Sequence, residues 1–271
     1  MTIWDIKWKS TGTAADRETK AVTERMNQIT VTGMVLSTAP VGEYDRRVVI
    51  LTREQGKLSA FAKGARKPNS PLVGAVNPLS FGEFVLYVGR SSYTIQSARI
   101  SNYFSELRQD MIAAYYGFYF LEFANYYTRE ANDEREMLKL LYQTMKALTN
   151  EKLPNRLIRC IFELKALCIN GVGPQVFGCV SCGNTERPMQ FSVKKGGLVC
   201  EECGSDVIDG MKLHPSTLYS MQYIESCKIE KLYTFLVTEE VLIELEKVME
   251  RYCDVYVEKR FKSLEILQTL L

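Results

Sequence analysis

The hydrophobic pattern of this 271-residue chain changes period once, near residue 105, and that change limits the folds open to it. Before it, short runs rich in Val, Ile, Phe and Tyr alternate with turn residues. ITVTGMVLS (29–37), RVVILTR (47–53), KLSAFAKG (57–64), FGEFVLYVG (81–89) and YTIQSARI (93–100) each have the length and composition of a strand. Gln55-Gly56 and the Gly89–Ser92 stretch suit hairpin turns. Five short strands fit a small closed barrel, and the five-stranded OB-fold is the commonest such barrel with a nucleic-acid habit.

After residue 105 the spacing becomes helical. Residues 106–130 form a long apolar and aromatic helix candidate. Residues 132–150 open with Asn132 or Asp133 as a possible N-cap. Residues 153–173 open at Pro154 and stop at Gly171, with Leu157, Ile161, Leu164 and Cys168 on one face. Residues 214–226 and 238–271 return to helices, the latter entered at Thr238. The expected architecture is α+β multidomain. Residues 1–25, polar and poorly patterned, read as a flexible N-terminal extension, with Met26 an alternative start. A five-stranded OB-fold barrel follows over 26–105, then an α-helical domain over 106–271 with a four-cysteine knuckle inserted at 179–203.

That knuckle reads CVSCGNTERPMQFSVKKGGLVCEEC. Cys179 and Cys182 form one Cys-x-x-Cys pair, Cys200 and Cys203 the other, with seventeen residues between. Each such turn can wrap two thiolates round one ion, and two turns complete a tetrahedron. One zinc ion is expected. Four sulfurs leave no open position for water, which makes the zinc structural. Gly183 and Gly204 each follow a second cysteine, where a positive φ helps the turn curl. A redox dithiol is the competing reading, though it usually needs one pair at a helix start. From Cys179 to Gly210 three Lys/Arg stand against five Asp/Glu. Four thiolates and one zinc add a charge of about −2 more, so the knuckle repels phosphate. It is expected to stiffen the helical domain or serve as a protein contact. Cys160, Cys168, Cys227 and Cys253 lie in helix-like stretches and read as packed thiols. His214, the sole histidine, precedes Pro215 and suits a cap or a surface position.

Net charge is only +2, but residues 26–105 hold nine Lys/Arg against four Asp/Glu. Such asymmetry points to a polyanion partner, with a merely solvated basic surface as the alternative. Arg46, Arg47, Arg53, Lys57, Lys63, Arg66, Lys67 and Arg90 are the candidate DNA contacts, and Arg99 lies in the same region. AKGARKPNS concentrates Lys63, Arg66 and Lys67 in one loop that can follow a phosphate backbone. Tyr44, Phe61, Phe81, Phe84, Tyr87 and Tyr93 are interleaved with these cations. Some belong to a barrel core, and the remainder can stack bases.

Other chemistry is missing. The chain has no G-x-x-x-x-G-K-[ST] phosphate loop, and GVGPQVFG (171–178) reads as a helix-ending turn. A single histidine builds no Ser-His-Asp or Cys-His set, so no enzyme is expected. No run of 18 apolar residues or signal-peptide core occurs, and close cysteine pairs suit a reducing compartment. The expected place is the cytoplasm.

GEYD (42–45), LTREQGK (51–57) and AKGARKPNS (62–70), within residues 32–90, resemble the N-terminal region of the RecO family of bacterial recombination mediators. GVGPQVFGCVSCG (171–183) and RFKSLEIL (260–267) extend the resemblance from about residue 29 to the end, leaving 1–25 outside. The resemblance implies an OB-fold, a helical domain with a zinc knuckle, and binding of single- and double-stranded DNA without strong sequence preference. It implies ATP-independent annealing of complementary strands in DNA repair. Its implied partners are RecR, the acidic C-terminal tail of single-strand-binding protein and, indirectly, RecA at the nucleoid. The zinc cysteines carry over onto Cys179, Cys182, Cys200 and Cys203. An RNA-binding or ribosome-associated barrel with a zinc ribbon is the alternative.

Overall fold

The computed structural model describes residues 27–186 and 189–270; the extension expected over 1–25 lies outside them. Strands β1 (Gln28–Val41), β2 (Asp45–Thr52), β3 (Gly56–Ala62), β4 (Phe81–Val88) and β5 (Tyr93–Asn102) close in the order β1-β2-β3-β5-β4. Antiparallel ladders make most of the wall, and a short parallel contact, Ala60 with Tyr93 and Phe61 with Thr94, seals it. This is the five-stranded OB barrel. β1 runs further than its apolar pattern, because a register shift between Val35 and Ser37 bends it so that it continues along β2.

Alternation sorts each strand into an inner and an outer face. Val31, Val35, Val48, Ile50, Leu58, Ala60, Phe84, Leu86 and Ile95 fill the interior. On one side the outer face is apolar as well. Met34, Leu36 and Leu51, with Leu79 from the loop before β4, are buried in the helical core, and the Phe81 ring lies 4.5 Å from that of Tyr142.

The helices are α1 (Met111–Tyr127), α2 (Arg135–Leu148), α3 (Asn155–Ile169), α4 (Pro215–Ser226), α5 (Glu239–Tyr256) and α6 (Lys262–Leu270). Asp110 caps α1, its carboxylate accepting from Ala113 N at 3.1 Å. At α2 the N-cap falls on Glu134, beyond the expected Asn132 or Asp133. The Glu134 carboxylate turns back to accept from Arg129 N (2.9 Å) and Asn132 Nδ2 (3.0 Å), tying the loop before the helix. Helix α3 is buried almost all round, more than the single expected face. Its Glu163, 1% exposed, accepts from Tyr119 Oη (2.6 Å) and Arg159 Nε (2.7 Å), so the buried charge is paired. Lys165 donates to the carbonyls of Glu225 (2.7 Å) and Cys227 (2.9 Å) at the end of α4. His214 caps α4, its Nδ1 accepting from Ser216 N at 3.1 Å. The final helical stretch breaks at Val257, and Phe261 turns in against Tyr119 and Phe123. Among the described residues no helix is long and apolar enough to cross a membrane.

The β2–β3 hairpin docks on the loop after α1. Lys57 N donates to Arg129 O (3.0 Å), and Lys57 Nζ to Asn125 O (2.6 Å). At the tip, Gly56 has φ +63°, and a Cβ there would lie 2.4 Å from Asn132 O. Gly42 has a similar φ, +56°, with nothing within 4 Å of its would-be Cβ. Both glycine-to-alanine changes carry a left-handed backbone cost of about 1 kcal/mol. Gly56→Ala should cost more than Gly42→Ala, by about 1–2 kcal/mol, because the hairpin must also withdraw from the helices. Urea denaturation of the two variants measures the difference; equal losses would mean that the close approach carries no energy.

Candidate nucleic-acid interface and metal centre

Cys179 and Cys182 lie on the turn that follows Val176 and Gly178, while Cys200 ends a second small sheet. That sheet, β6 (Met189–Ser192) and β7 (Gly197–Cys200), was not foreseen, because each strand is only four residues long. Val180 N donates to Leu198 O (2.8 Å), which brings the first cysteine turn beside β7, and Cys203 follows on the next turn. The four Sγ atoms lie within 4.8 Å of one another. Cys182 Sγ and Cys200 Sγ are 3.7 Å apart, far beyond a disulfide bond. A tetrahedral metal with bonds of about 2.3 Å to sulfur requires an edge of about 3.8 Å, so the four cysteines could hold one ion.

The electrostatics agree. Burial raises the Cys179 thiol, but N–H groups of Cys200, Cys182 and Ser181 outweigh it and bring the thiol down to about 6. Cys203 is pushed up to about 12, chiefly by hydrogen bonding with the Cys200 and Cys182 sulfurs. Cys179 is thus readier to ionise than Cys203, and a cation bound among the four sulfurs would favour both thiolates. Gly183 takes φ +73°, as the turn requires. Gly204 does not adopt a positive φ; it is small because Gln190 Nε2 comes within 2.6 Å of where a Cβ would stand. Phe191, Val193 and Leu198 seat the sheet in the helical core, and Tyr256 Oη donates to Val193 O (3.0 Å). Elsewhere Cys160 is buried, and Cys168, Cys227 and Cys253 are half-buried. Burial pushes the Cys160, Cys168 and Cys253 thiols up, Cys168 to about 12.

The structure divides the eight candidate cations. Arg46 and Arg47 open β2, next to Lys63 at the end of β3 through the pairs Arg46–Ala62 and Arg47–Phe61. The loop after β3 folds onto the β1–β2 turn. Arg66 N donates to Tyr44 O (2.9 Å), its guanidinium to Gly42 O (3.3 Å), and Gly64 N to Asp45 Oδ1 (2.7 Å). Lys67 Nζ sits 5.3 Å from the centre of the exposed Tyr44 ring. Arg46, Arg47, Lys63, Arg66 and Lys67 thus gather at one end of the barrel. Arg46 is partly engaged there, donating to Asn77 Oδ1 at 2.8 Å.

Arg53 and Lys57 stand at the opposite end of the same hairpin, about 20 Å away at 3.3 Å per strand residue. Arg53 pairs with Glu54 (2.8 Å), and Lys57 is held against α1. Arg90 lies in the β4–β5 turn; since β5 runs parallel to β3, that turn points toward the Gly56 end, away from Lys63. Arg99 is bound to Glu83 on the neighbouring strand at 2.5 Å. Of the aromatics, Phe84 is interior, Phe81 packs on Tyr142, and Tyr93 packs against the barrel core. Tyr44, Phe61 and Tyr87 point outward. Phe61 has Arg47 and Thr94 as its cross-strand neighbours, which sets a ring between a cation and a hydroxyl.

Not foreseen as a group were Arg129 and Lys259, which come near Lys57 of the hairpin from distant parts of the chain, with Arg260 next to Lys259 in the sequence. Charge counted over the whole acidic helical half hides them.

Two family descriptions cover nearly all of this. Residues 26–104 match the one for the recombination protein O N terminal region, and residues 108–265 the one for its C terminal region. A "DNA repair protein RecO" of Acetivibrio thermocellus is 32% identical over 90% of this chain and 98% of its own length. Another so named, from Alkaliphilus metalliredigens, is 33% identical over 88% of this chain and 98% of its own. One from Clostridium novyi is 30% identical over 88% and 92%. With the barrel, the helical body and the cysteine centre all in place, the chain belongs to the RecO family.

Proposed function

We propose that this chain is a DNA-binding recombination mediator in DNA repair. It anneals complementary strands without ATP. With RecR it loads RecA onto DNA coated by single-strand-binding protein, whose acidic tail it engages. The observation that supports this best is the gathering of Arg47, Lys63, Arg66 and Lys67 beside the outward rings of Tyr44 and Phe61. Cations that displace condensed counterions bind any sugar-phosphate chain, and outward rings stack bases without choosing among them. Two strands so screened approach each other with less repulsion, and base pairing supplies the driving free energy. The reading therefore needs no catalytic group. The names of the relatives support a place in DNA repair.

The metal centre is read as one structural zinc on Cys179, Cys182, Cys200 and Cys203, the closed four-sulfur shell that zinc favours in such sites. When bound, it would tie the two cysteine turns together, and it leaves no position for substrate. The barrel, the helical body and the knuckle are then three parts of one DNA-handling protein, at work in the cytoplasm and at the nucleoid.

The decisive test is annealing of two complementary oligonucleotides coated with single-strand-binding protein, without nucleotide. Annealing is expected, and its absence overturns the mediator reading. For binding, Lys63, Arg66 and Lys67 changed together to Ala should make the plot of log affinity against log salt shallower by about 2, at about 0.7 per single-strand phosphate contact. Parallel titrations with RNA of the same sequence test the alternative: a clear preference for RNA would favour it. For the metal, Cys182→Ser should release one zinc per chain and lower the thermal midpoint by several degrees, with little effect on DNA affinity. Metal analysis and calorimetry read both, and a stable metal-free protein would contradict the assignment.

A further inference from the structure

A second group of cations meets where the β2–β3 hairpin docks on the end of α1. Lys57 Nζ reaches Asn125 O, and its backbone N–H reaches Arg129 O. The Arg129 guanidinium is held by Tyr126 O (2.7 Å) and Thr128 O (3.3 Å), which fixes it at the surface. From the connector between α5 and α6, Lys259 Nζ comes to 5.7 Å from the centres of both the Tyr126 and Phe261 rings. Arg260, next in the chain, is exposed. Lys57 records this crowding. Burial lowers its ammonium most, the Arg129 charge lowers it further, Glu130 and Glu134 oppose, and Lys259 adds to the lowering.

Four cations elsewhere in the helical region are neutralised in place. Arg135, Lys139, Arg156 and Arg159 each pair with a carboxylate. Among the described residues, Arg129, Lys259 and Arg260 are in none of the ion pairs. The nearby Glu134 is buried and already accepts from Arg129 N and Asn132; Glu130 and Glu258 are exposed close by in the chain, and Glu250, Asp254 and Glu265 line one cavity with Lys259 and Arg260.

The outer face of β3 links this seam to the barrel's basic end. Lys57, Ser59 and Phe61 alternate outward along it, and Lys63 follows directly, with no acid among them. At about 3.3 Å per residue the path from Lys57 to Lys63 is about 20 Å long. Phe61 stands about two-thirds of the way along, with Arg47 and Thr94 on the flanking strands.

We propose that Arg129, Lys259 and Arg260 form a second phosphate-contact site, and that one nucleic-acid strand runs along β3 between it and Lys63, Arg66 and Lys67. The helical body then shares in binding, and the path crosses the seam between it and the barrel. This rests on the DNA-binding reading above.

Lys259→Gln with Arg260→Gln tests it, since glutamine keeps part of the stem that packs over Tyr126. The probe is labelled poly-thymidine of two lengths, one spanning the whole path and one only the barrel end, titrated at several salt concentrations. On the long strand the double variant should show a slope shallower by about 1.4, and on the short strand no change. Arg260→Gln alone, which leaves the Lys259 stack intact, should give about half that change on the long strand. If the double variant keeps the full slope while Lys63, Arg66 and Lys67 to Ala loses it, the seam is not a contact and the barrel reading stands. If neither set changes binding, the DNA-binding reading falls too. Equal weakening on both lengths, without a change of slope, would show that the seam acts through the fold and would overturn the proposal.

Discussion

One wall of the barrel is apolar on both faces, and the rest of the molecule is arranged around that fact. Met34, Leu36 and Leu51 point away from the barrel interior yet are at most 4% exposed, because the helices cover them. Each such side chain contributes about 1.5–3 kcal/mol when removed from water. The barrel therefore has one orientation on the helical body. The β2–β3 hairpin reinforces it by backbone hydrogen bonding at the far edge of the same contact. What remains free is the side built on β3 and the loops at its end, where Arg47, Lys63, Arg66 and Lys67 cluster. A basic surface could not have formed on the covered wall without burying its charges.

The cysteine centre solves a different problem. Its two strands of four residues each cannot form a core of their own: Cys179, Val199 and Cys200 make a small buried cluster, while Phe191, Val193 and Leu198 belong to the helical core. The segment leans on the helices through Phe191, whose ring lies 6.3 Å from that of Tyr252, and on an ordered turn in which Asp209 accepts from Ser192 Oγ (2.7 Å) and Lys194 N (2.9 Å). That second use draws one of its few cationic positions toward an acid. A segment so built positions sulfur well and phosphate poorly.

Much of this was legible in the sequence, for reasons specific to the residues. Period-two runs bounded by turn residues such as Gln55-Gly56 located all five strands, since inner and outer faces impose alternation however the barrel closes. Cysteine spacing located the four-sulfur cluster, because two Cys-x-x-Cys turns have a fixed reach. The sequence was less informative where partners are remote. Nothing local in Lys57 distinguishes it from Lys63, yet the first is pinned to Asn125 and the second is free on the surface. Asp133 does accept from Arg135 N (3.2 Å) at the helix start, but the N-cap position itself falls to Glu134, whose carboxylate turns away to Arg129 and Asn132. The full-circle burial of α3 follows from the helices around it, which its own pattern does not record.

The shared core also bears on modularity. Cut away from its helices, the five-stranded unit would present Met34, Leu36, Leu51 and Phe81 to solvent as one greasy wall. Patches of that kind invite self-association. The barrel is thus no detachable cassette: evolution or engineering can trade its loops, but transplanting it calls for a new cover for that wall.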